Sequence, residues 1–398
     1  MLVAVLVSGI SLTNGGAPAR ADAPLRPDSD PFYAASADLS SARPGAVMKS
    51  RQIALFGLPL PVQAWQLLYR TSDSAGRPTA NMTTVLIPNV PWRGPGARPL
   101  LSYQIAEDSL STRCAPSYAL RGGWPIGLNT LLDAPFMADA LRRGWAVVTS
   151  DYEGPESRFF DGVTSGRGVL DGIRAAREFA PGDVDATSPL GAYGYSGGAF
   201  ATLWAAQLQP AYAPELRFAG VTSGGVPTDL PAIAREVDGG MQAGLALLIV
   251  HTTVRNTPEA GVAALLNDRG RAMLIEDADA CGEELILKYN GARVADFAAV
   301  PDLLSHPAFR AATARQELGG TAPIAPMYLY HSTTDGVIPV AGFTALTERY
   351  CAQGADVSVI HSALPGHNPA AIGEAFGAMS YLEDRFAGVP VPAGCHAR

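Results

Sequence analysis

The stretch GAYGYSGGAFATLWAAQL, residues 191–208, decides the fold of this chain. Its first part, GAYGY, has the short apolar composition of a buried strand, and the part from Gly198 to Leu208 has the apolar spacing of a helix. Between them lies the pattern G-x-S-x-G at residues 194–198, whose glycines let neighbouring backbone approach a serine on a strained turn. In a chain with 42 glycines the bare pattern is weak, and its flanking strand and helix make it specific. We therefore predict that Ser196 is a nucleophile at the end of a strand.

Predicted strands and helices alternate on both sides of this turn. The strands are PLLSYQI, WAVVTSDYEGP, PLGAYGY, LRFAGVTSGG, PMYLYHST and DVSVIHS, and the helices lie near residues 134–143, 167–180, 198–208, 340–353 and 369–386. Two earlier strands, VQAWQLLYRT and NMTTVLIP, flank Ser74-Ala75-Gly76 and predict an antiparallel hairpin. This order predicts the α/β class, with a mostly parallel central sheet flanked by helices and with antiparallel strands at its start.

The interval from about Val226 to Gly320 interrupts the alternation. It lacks strong strand patterns and contains three predicted helices, at MQAGLALLIVHTT, at EAGVAALLNDRGRAMLI and around Val294 to Leu304. Because the interval is too long for a simple connection between a strand and a helix, we predict an inserted helical cap at residues 226–320. The core of the fold is then formed by residues 22–225 and 321–398.

Composition and charge exclude several classes of partner. The net charge of −8, without runs of Lys or Arg, argues against binding to nucleic acid. With 398 residues, of which 47% are hydrophobic, the chain is long enough for a large globular core. The apolar run from Met241 to Val250 is about half as long as a membrane-spanning helix, so we predict no transmembrane segment. A monomer is the expected oligomeric state.

The N-terminus has the pattern of a secretory signal peptide. An apolar stretch from Leu2 to Leu12 is followed by Ala19-Arg20-Ala21, which matches the A-x-A cleavage signature. We therefore predict a signal peptide over residues 1–21, cleaved after Ala21, and a secreted protein. An ordinary buried N-terminal segment is the alternative.

The four cysteines are Cys114, Cys281, Cys351 and Cys395. They show no C-x-x-C spacing, so the sequence does not predict a metal site. An even number of cysteines in an exported chain favours two disulfides, and three pairings are open.

A serine hydroxyl reacts only when a base takes its proton, so Ser196 requires a histidine and an orienting carboxylate. His367 is the best candidate for the base, because it follows DVSVIHS and precedes the last predicted helix. His331 and His361, at the ends of predicted strands, are the alternatives, although a buried structural histidine fits those positions better. Asp335, in the turn TTDGVIP, is the candidate acid, and a simple Asp-Gly turn is its alternative.

Several separated motifs resemble the secretory lipase family of fungi and actinobacteria. They are SYQIAEDSLSTRCAPSYAL, GYSGGA, TTDGVIP and the GHNP loop, and the resemblance extends from about Phe32 to Cys395. It implies an α/β-hydrolase with a helical cap over the site, acting on triacylglycerols and simpler esters. By motif match, the nucleophile, acid and base fall on Ser196, Asp335 and His367. This chemistry needs no metal or organic cofactor.

The resemblance also implies an oxyanion hole formed by Asp108 and the backbone N–H of Gly197. The AEDS turn after PLLSYQI occupies the place of an HGGG-type loop, which the chain lacks. Asp108 would donate its N–H, and its carboxyl would add a second donor when protonated but would repel the oxyanion when ionised. A surface turn of two acids is the alternative. Asp151 and Glu153, in SDYEGP, are expected to be structural.

For the cysteines, the resemblance implies the pairs Cys114–Cys281 and Cys351–Cys395. The first pair would join the cap to the core and limit how far the cap can move.

Together these features predict a secreted serine hydrolase of carboxylic esters, above all a triacylglycerol lipase, that forms an acyl-enzyme on Ser196. A short-chain esterase, an acyltransferase or a serine peptidase of the same fold would use the same residues. The apolar run MQAGLALLIV in the predicted cap favours acyl chains over peptides. A non-catalytic binding protein with this fold is the alternative of a different class, and the presence of all three triad residues in order disfavours it.

Overall fold

In a computed structural model that describes residues 23–35, 38–124, 127–179 and 181–397, the strands join in one ten-stranded sheet. The predicted signal peptide, residues 1–21, lies outside the described residues. The strands are β1 (Val47–Ile53), β2 (Val62–Ser72), β3 (Pro78–Pro88), β4 (Leu100–Gln104), β5 (Ala146–Ser150), β6 (Leu190–Tyr195), β7 (Phe218–Gly224), β8 (Met327–Ser332), β9 (Val357–Ser362) and β10 (Cys395–Ala397).

Helices cover both faces of this sheet. They are α1 (Pro116–Leu120), α2 (Leu128–Arg142), α3 (Gly162–Phe179), α4 (Gly197–Tyr212), α5 (Leu230–Val237), α6 (Ala243–Asn256), α7 (Asp268–Glu276), α8 (Gly282–Lys288), α9 (Pro307–Ala314), α10 (Val340–Ala352) and α11 (His367–Phe386). The successive β3 residues Val85 and Leu86 belong to separate apolar clusters, because side chains of a strand point alternately to its two faces. Helices α3 and α4 pack on the first face, and α2 and α11 pack on the second.

The strand order in the sheet is β1-β2-β3-β5-β4-β6-β7-β8-β9-β10. The pairs β1–β2, β2–β3 and β3–β5 are antiparallel, and every pair from β5 to β10 is parallel. The predicted α/β class, with a mostly parallel sheet and an antiparallel hairpin at its start, is therefore confirmed. The two edge strands, β1 and β10, were not predicted from the sequence.

Between β7 and β8 the chain forms the helices α5 to α9, as the absence of strand patterns predicts. The single helix predicted at residues 259–275 is wrong. Gly261, with a φ of 71°, separates two short 3₁₀ turns, and the side chain of Asn267 accepts a hydrogen bond from the N–H of Gly270 at the start of α7. Local backbone chemistry therefore breaks an apolar pattern that is continuous in the sequence.

The helix predicted around residues 294–304 is also wrong. Only Val294–Phe297 forms a 3₁₀ turn, and Pro301 disfavours a helical conformation at the residue before it. Helices α5, α8 and α9 were not predicted. No helix in the described part of the chain is both long and apolar enough to cross a membrane.

Candidate active site

Ser196 lies on the sharp turn between β6 and α4. Its φ of 54° and ψ of −125° are sterically unfavourable for a residue with a side chain. The glycines around it are required by close packing: a Cβ on Gly194 would lie 2.2 Å from the carbonyl oxygen of Gly198, and a Cβ on Gly198 would lie 2.1 Å from that of Gln104. The G-x-S-x-G pattern thus permits a strained turn that presents the serine hydroxyl at the carboxyl edge of the sheet.

The structure brings together the three residues that the sequence predicts as a triad. The Nε2 atom of His367 lies 3.0 Å from the Oγ of Ser196, and its Nδ1 atom lies 2.7 Å from the Oδ2 of Asp335. Asp335 follows β8, and His367 begins α11 after β9, so both approach from the same edge of the sheet as the serine. This carboxyl contacts the histidine, which favours the predicted acid over a simple Asp-Gly turn.

The environment of Asp335 favours its ionised form. Burial alone would raise the pKa of this carboxyl, but the hydrogen bond from His367 and the backbone N–H groups of Val337 and Ile338 hold the pKa below its usual value. A carboxylate accepts hydrogen bonds only, so the proton of the neutral imidazole lies on Nδ1. Nε2 is then free to accept the proton of Ser196.

The two alternative bases do not contact Ser196, although the Nε2 atom of His331 lies 3.6 Å from the Oδ2 atom of Asp335. His331 is fully buried, its Nε2 atom lies 2.9 Å from the carbonyl oxygen of Ile338, and its ring stacks on Phe343, as expected for a structural histidine. His361 does not fit that expectation, because its side chain is exposed on β9. Neither residue forms a hydrogen bond with Ser196 among the described residues.

Asp108 faces the first turn of α4. It has a φ of 44°, and a Cβ on Gly197 would lie 2.1 Å from its Oδ1 atom. Oδ1 has no hydrogen-bond partner in the described part of the chain, and Oδ2 accepts a 3.4 Å hydrogen bond from Asn129. Burial, with the nearby Glu283 carboxylate, raises the pKa of Asp108 to about 7, against the smaller opposing effects of His367 and Asn129. The carboxyl therefore changes its charge close to neutral pH.

The alternative of a surface turn of two acids is wrong, because Glu107 is buried at 6% exposure. Asp151 has the structural role that was expected: its carboxylate accepts hydrogen bonds from the N–H of Ser117 at 2.9 Å and from its hydroxyl at 2.5 Å. Glu153 is also buried, but its contacts are with the turn that holds Asp108.

A cavity of about 400 Å³ opens onto Ser196 and His367. Its walls are mainly apolar side chains of α2, α6, α8 and α11, namely Leu128, Leu132, Phe136, Leu245, Leu248, Ile286, Leu287 and Ile372. The charged groups in the wall are acids, Asp108, Asp133 and Glu283, and no Lys or Arg among the described residues lines it. Burial raises the pKa of Asp133 to about 7. The cavity can therefore hold a long apolar chain beside Ser196, and its wall contains no Lys or Arg among the described residues that would bind an anionic group.

The cavity opens within an apolar surface. Side chains of α2, α8 and α11 near its walls are largely exposed to solvent: Leu128, Leu131, Leu287, Ile372 and Phe376. Exposed apolar residues gathered around a pocket are typical of surfaces that contact lipid or another protein.

Four residues of the site were not singled out in the sequence. Tyr195 donates a 2.7 Å hydrogen bond to the carbonyl oxygen of His367, and its place inside G-x-S-x-G was the available signal. Asn129, Asp133 and Glu283 lie on helices that pack against the site only in the folded chain. No pattern in the sequence connects them with Ser196.

Both cysteine pairs implied by the resemblance are formed. Cys114–Cys281 joins the 3₁₀ turn at Thr112–Cys114 to the start of α8, and Cys351–Cys395 joins α10 to β10. The described residues contain no cluster of three or more His, Cys, Asp or Glu side chains placed to hold a metal ion.

Known proteins resemble this chain over most of its length. A family model described as secretory lipase matches residues 125–394. A probable inactive lipase of Mycobacterium tuberculosis is 37% identical over 92% of this chain and 84% of its own length, and a secreted triacylglycerol lipase of Malassezia furfur is 33% identical over 84% and 73%. The X-ray structure of Candida antarctica lipase A in its closed state is 29% identical, with a TM-score of 0.85 over 94% of this chain and 91% of that one.

Proposed function

The chain belongs to the secretory lipase family and has the α/β-hydrolase fold, and from this premise we propose that it hydrolyses carboxylic esters of lipids, triacylglycerols above all, through an acyl-enzyme on Ser196. The observation that supports this most directly is the hydrogen-bonded series Ser196–His367–Asp335 at the wall of an apolar cavity. Acyl transfer requires a nucleophile, its base and a group that orients the base, and these three residues have that geometry.

In the proposed reaction, the Nε2 atom of His367 takes the proton of Ser196 as the serine Oγ attacks the ester carbonyl. Asp335 keeps the imidazole in the required tautomer and stabilises the imidazolium that forms. His367 then gives the proton to the oxygen of the leaving alcohol, which leaves an acyl-serine. Water, activated by the same histidine, releases the fatty acid and restores the serine.

The negative charge of the tetrahedral intermediate requires donors that are already in place. We assign this role to the backbone N–H groups of Gly197 and Asp108. Gly197 is the first residue of α4, where N–H groups have no partner within the helix and the helix dipole favours negative charge. The protonated carboxyl of Asp108 adds a third donor below about pH 7.

The apolar walls and the exposed apolar side chains beside them support a lipid substrate. A buried acyl chain gains about 0.8 kcal/mol for each CH₂ group removed from water, so a long chain contributes substantially to binding. A peptide chain would bring polar groups into the same cavity. Residues 226–320, which we assign to the cap, include α6 and α8, and these two helices form part of the cavity wall.

We also propose that the protein is secreted, with residues 1–21 as its signal peptide. Both disulfides support export, because such bonds persist mainly in oxidising compartments. N-terminal sequencing of the protein recovered from culture medium tests this, and an N-terminus other than Asp22 contradicts the assigned cleavage site.

The substrate class is tested with nitrophenyl esters from acetate to palmitate, emulsified triolein and a peptide amide. We expect turnover of the long esters and of triolein, and a loss of at least about 10⁴-fold in Ser196→Ala. Ser305→Ala, an exposed serine of the cap, is the matched control and keeps full activity. Activity on short soluble esters alone would make the protein an esterase and not a lipase, and strong cleavage of the amide would make it a peptidase.

A non-catalytic binding protein is the second candidate, because one relative is named a probable inactive lipase. This chain itself retains a bonded serine, histidine and aspartate, which favours catalysis. The two candidates separate in the same assay: equal turnover by the unmodified protein and by Ser196→Ala identifies a binding protein.

A further inference from the structure

We propose that Tyr152 and Glu153 are positioning residues that hold the turn at residues 107–109 so that the N–H of Asp108 points into the oxyanion hole. This inference rests on the proposed ester hydrolysis by Ser196. It assigns a role in turnover to the SDYEGP motif after β5, from which only a structural role was expected.

The turn needs external support because its backbone is strained. Asp108 has a φ of 44°, a region that residues with a side chain rarely adopt, and such a conformation persists only where the surroundings determine it. Four hydrogen bonds join residues 107–109 to residues 152–153, and each of these contacts is buried. The turn is therefore fixed by a neighbouring segment of the core and not by its own local geometry.

Of the three successive backbone N–H groups in this turn, the outer two donate hydrogen bonds and the middle one does not. The N–H of Glu107 donates to the hydroxyl of Tyr152 at 3.0 Å, and the N–H of Ser109 donates to the Oε1 atom of Glu153 at 3.4 Å. The N–H of Asp108, between them, has no acceptor within the described residues. The hydrogen bonds of Glu107 and Ser109 fix the backbone on both sides of Asp108 and leave the N–H of Asp108 unpaired. An unpaired N–H that is already held in position can donate to the negative charge of the transition state.

Two further hydrogen bonds join the same two segments. The Oε2 atom of Glu153 accepts a 3.1 Å hydrogen bond from the hydroxyl of Ser109, and the Oε1 atom of Glu107 accepts one from the N–H of Glu153 at 3.3 Å. The hydroxyl of Tyr152 also lies beside Gly197, 3.5 Å from where its Cβ would be. Tyr152 thus contacts the segments that carry both assigned backbone donors.

Burial favours the neutral form of the Glu153 side chain. Burial and the nearby Asp108 carboxyl raise the pKa of Glu153 well above its usual value, whereas the hydrogen bonds from Ser109 and the positive charge of Arg255 lower it. Burial also raises the pKa of Glu107, with contributions from Glu153 and Asp151. A glutamine at position 153 therefore resembles the protonated carboxyl and can accept from the N–H of Ser109.

The test compares Glu153→Ala with Glu153→Gln on nitrophenyl butyrate. We expect kcat of Glu153→Ala to fall about 10–100-fold with KM changed less than twofold, since a displacement of about 1 Å near a reacting centre costs up to about 10²-fold. Glu153→Gln is expected to restore kcat to within about threefold of the unmodified protein. Glu156→Gln, an exposed carboxyl on the same loop, is the matched control with unchanged kcat.

A second measurement separates positioning from a general loss of structure. Trifluoromethyl ketones bind to serine hydrolases as charged tetrahedral adducts, so their affinity should fall in parallel with kcat in Glu153→Ala, while the affinity for an uncharged alcohol product stays unchanged. Tyr152→Phe removes a different acceptor of the same turn and should lower kcat about tenfold, which keeps the test valid if Glu153→Ala does not fold.

The outcomes distinguish the two proposals. Equal turnover by the unmodified protein and Ser196→Ala overturns the proposed function. Turnover that depends on Ser196, together with an unchanged kcat in both Glu153→Ala and Tyr152→Phe, overturns the positioning role. Equal losses in kcat and in affinity for the uncharged product also overturn it, since they indicate a damaged pocket.

Discussion

The variant Asp108→Asn replaces the ionisable carboxyl of Asp108, in the turn at residues 107–109 (the oxyanion turn), by a neutral amide of similar size. Asparagine adopts positive φ values more readily than most residues, so the φ of 44° at this position adds little strain. Its amide can still accept from Asn129 and can present an N–H where Oδ1 faces Gly197. A change in the pH profile of this variant therefore reports on the carboxyl proton.

The size of the effect follows from the pKa of about 7 that burial gives to Asp108. The carboxyl is neutral below this pH and ionised above it, so its neutral fraction falls from about nine-tenths at pH 6 to about one-tenth at pH 8. The neutral form can donate to the oxyanion, whereas the carboxylate repels it. We therefore expect the turnover of the unmodified protein, divided by that of Asp108→Asn, to fall about tenfold between pH 6 and pH 8.

The assay measures kcat/KM on nitrophenyl butyrate from pH 5.5 to pH 8.5 at constant ionic strength. Taking the ratio cancels every effect of pH that the two proteins have in common. Asp302→Asn, an exposed carboxyl between β7 and β8, is the matched control, and the ratio of the unmodified protein to this variant stays near one. A ratio to Asp108→Asn that is constant over this range refutes the reasoning and leaves only the backbone N–H of Asp108 in the oxyanion hole.

Three other changes test the site. In Asp335→Asn a neutral amide replaces the carboxylate that orients the base, so steady-state kinetics should show kcat lower by about 10³–10⁴-fold with a similar KM, and a loss below tenfold contradicts the assigned acid. Tyr195→Phe removes the 2.7 Å hydrogen bond to the carbonyl of His367 and should lower kcat about threefold to tenfold; an unchanged kcat argues against this support. Replacing Cys114 and Cys281 by Ser should lower the free energy of unfolding by about 2–5 kcal/mol. It should also lower kcat, because Cys281 forms a β-bridge with Ser109 of the oxyanion turn. Loss of the Cys351–Cys395 disulfide should lower stability alone.

The central part of the fold could be predicted because its strands are almost entirely buried. Strands β4 to β9 are nearly continuous apolar runs separated by helical patterns, and this order is specific for a parallel sheet. The edge strands lack that signal. Every residue of β1 is at least partly exposed, and the three residues of β10 are exposed and held in place by pairing with β9 and by a disulfide.

Some residues of the site could likewise be predicted from the sequence, and others could not. Ser196, Asp335 and His367 were found because each follows a strand in a short motif, so local sequence carries the signal. The hydrogen bonds of Tyr152 and Glu153 to the oxyanion turn join segments more than 40 residues apart and depend on how β4 and β5 pair. Sequence patterns do not encode such contacts, and the raised pKa values of the buried acids follow from the same packing.

The segment between β7 and β8, which we propose as a cap, has a consequence for how such proteins diversify. These two strands are direct neighbours in the sheet, so their pairing does not depend on the length or shape of the chain between them. Ser196, Asp335 and His367 lie outside the interval between these two strands, while part of the cavity wall lies inside it. Mutations confined to one contiguous stretch of the gene can therefore alter which substrates a related enzyme accepts, while the residues that break the ester bond stay unchanged.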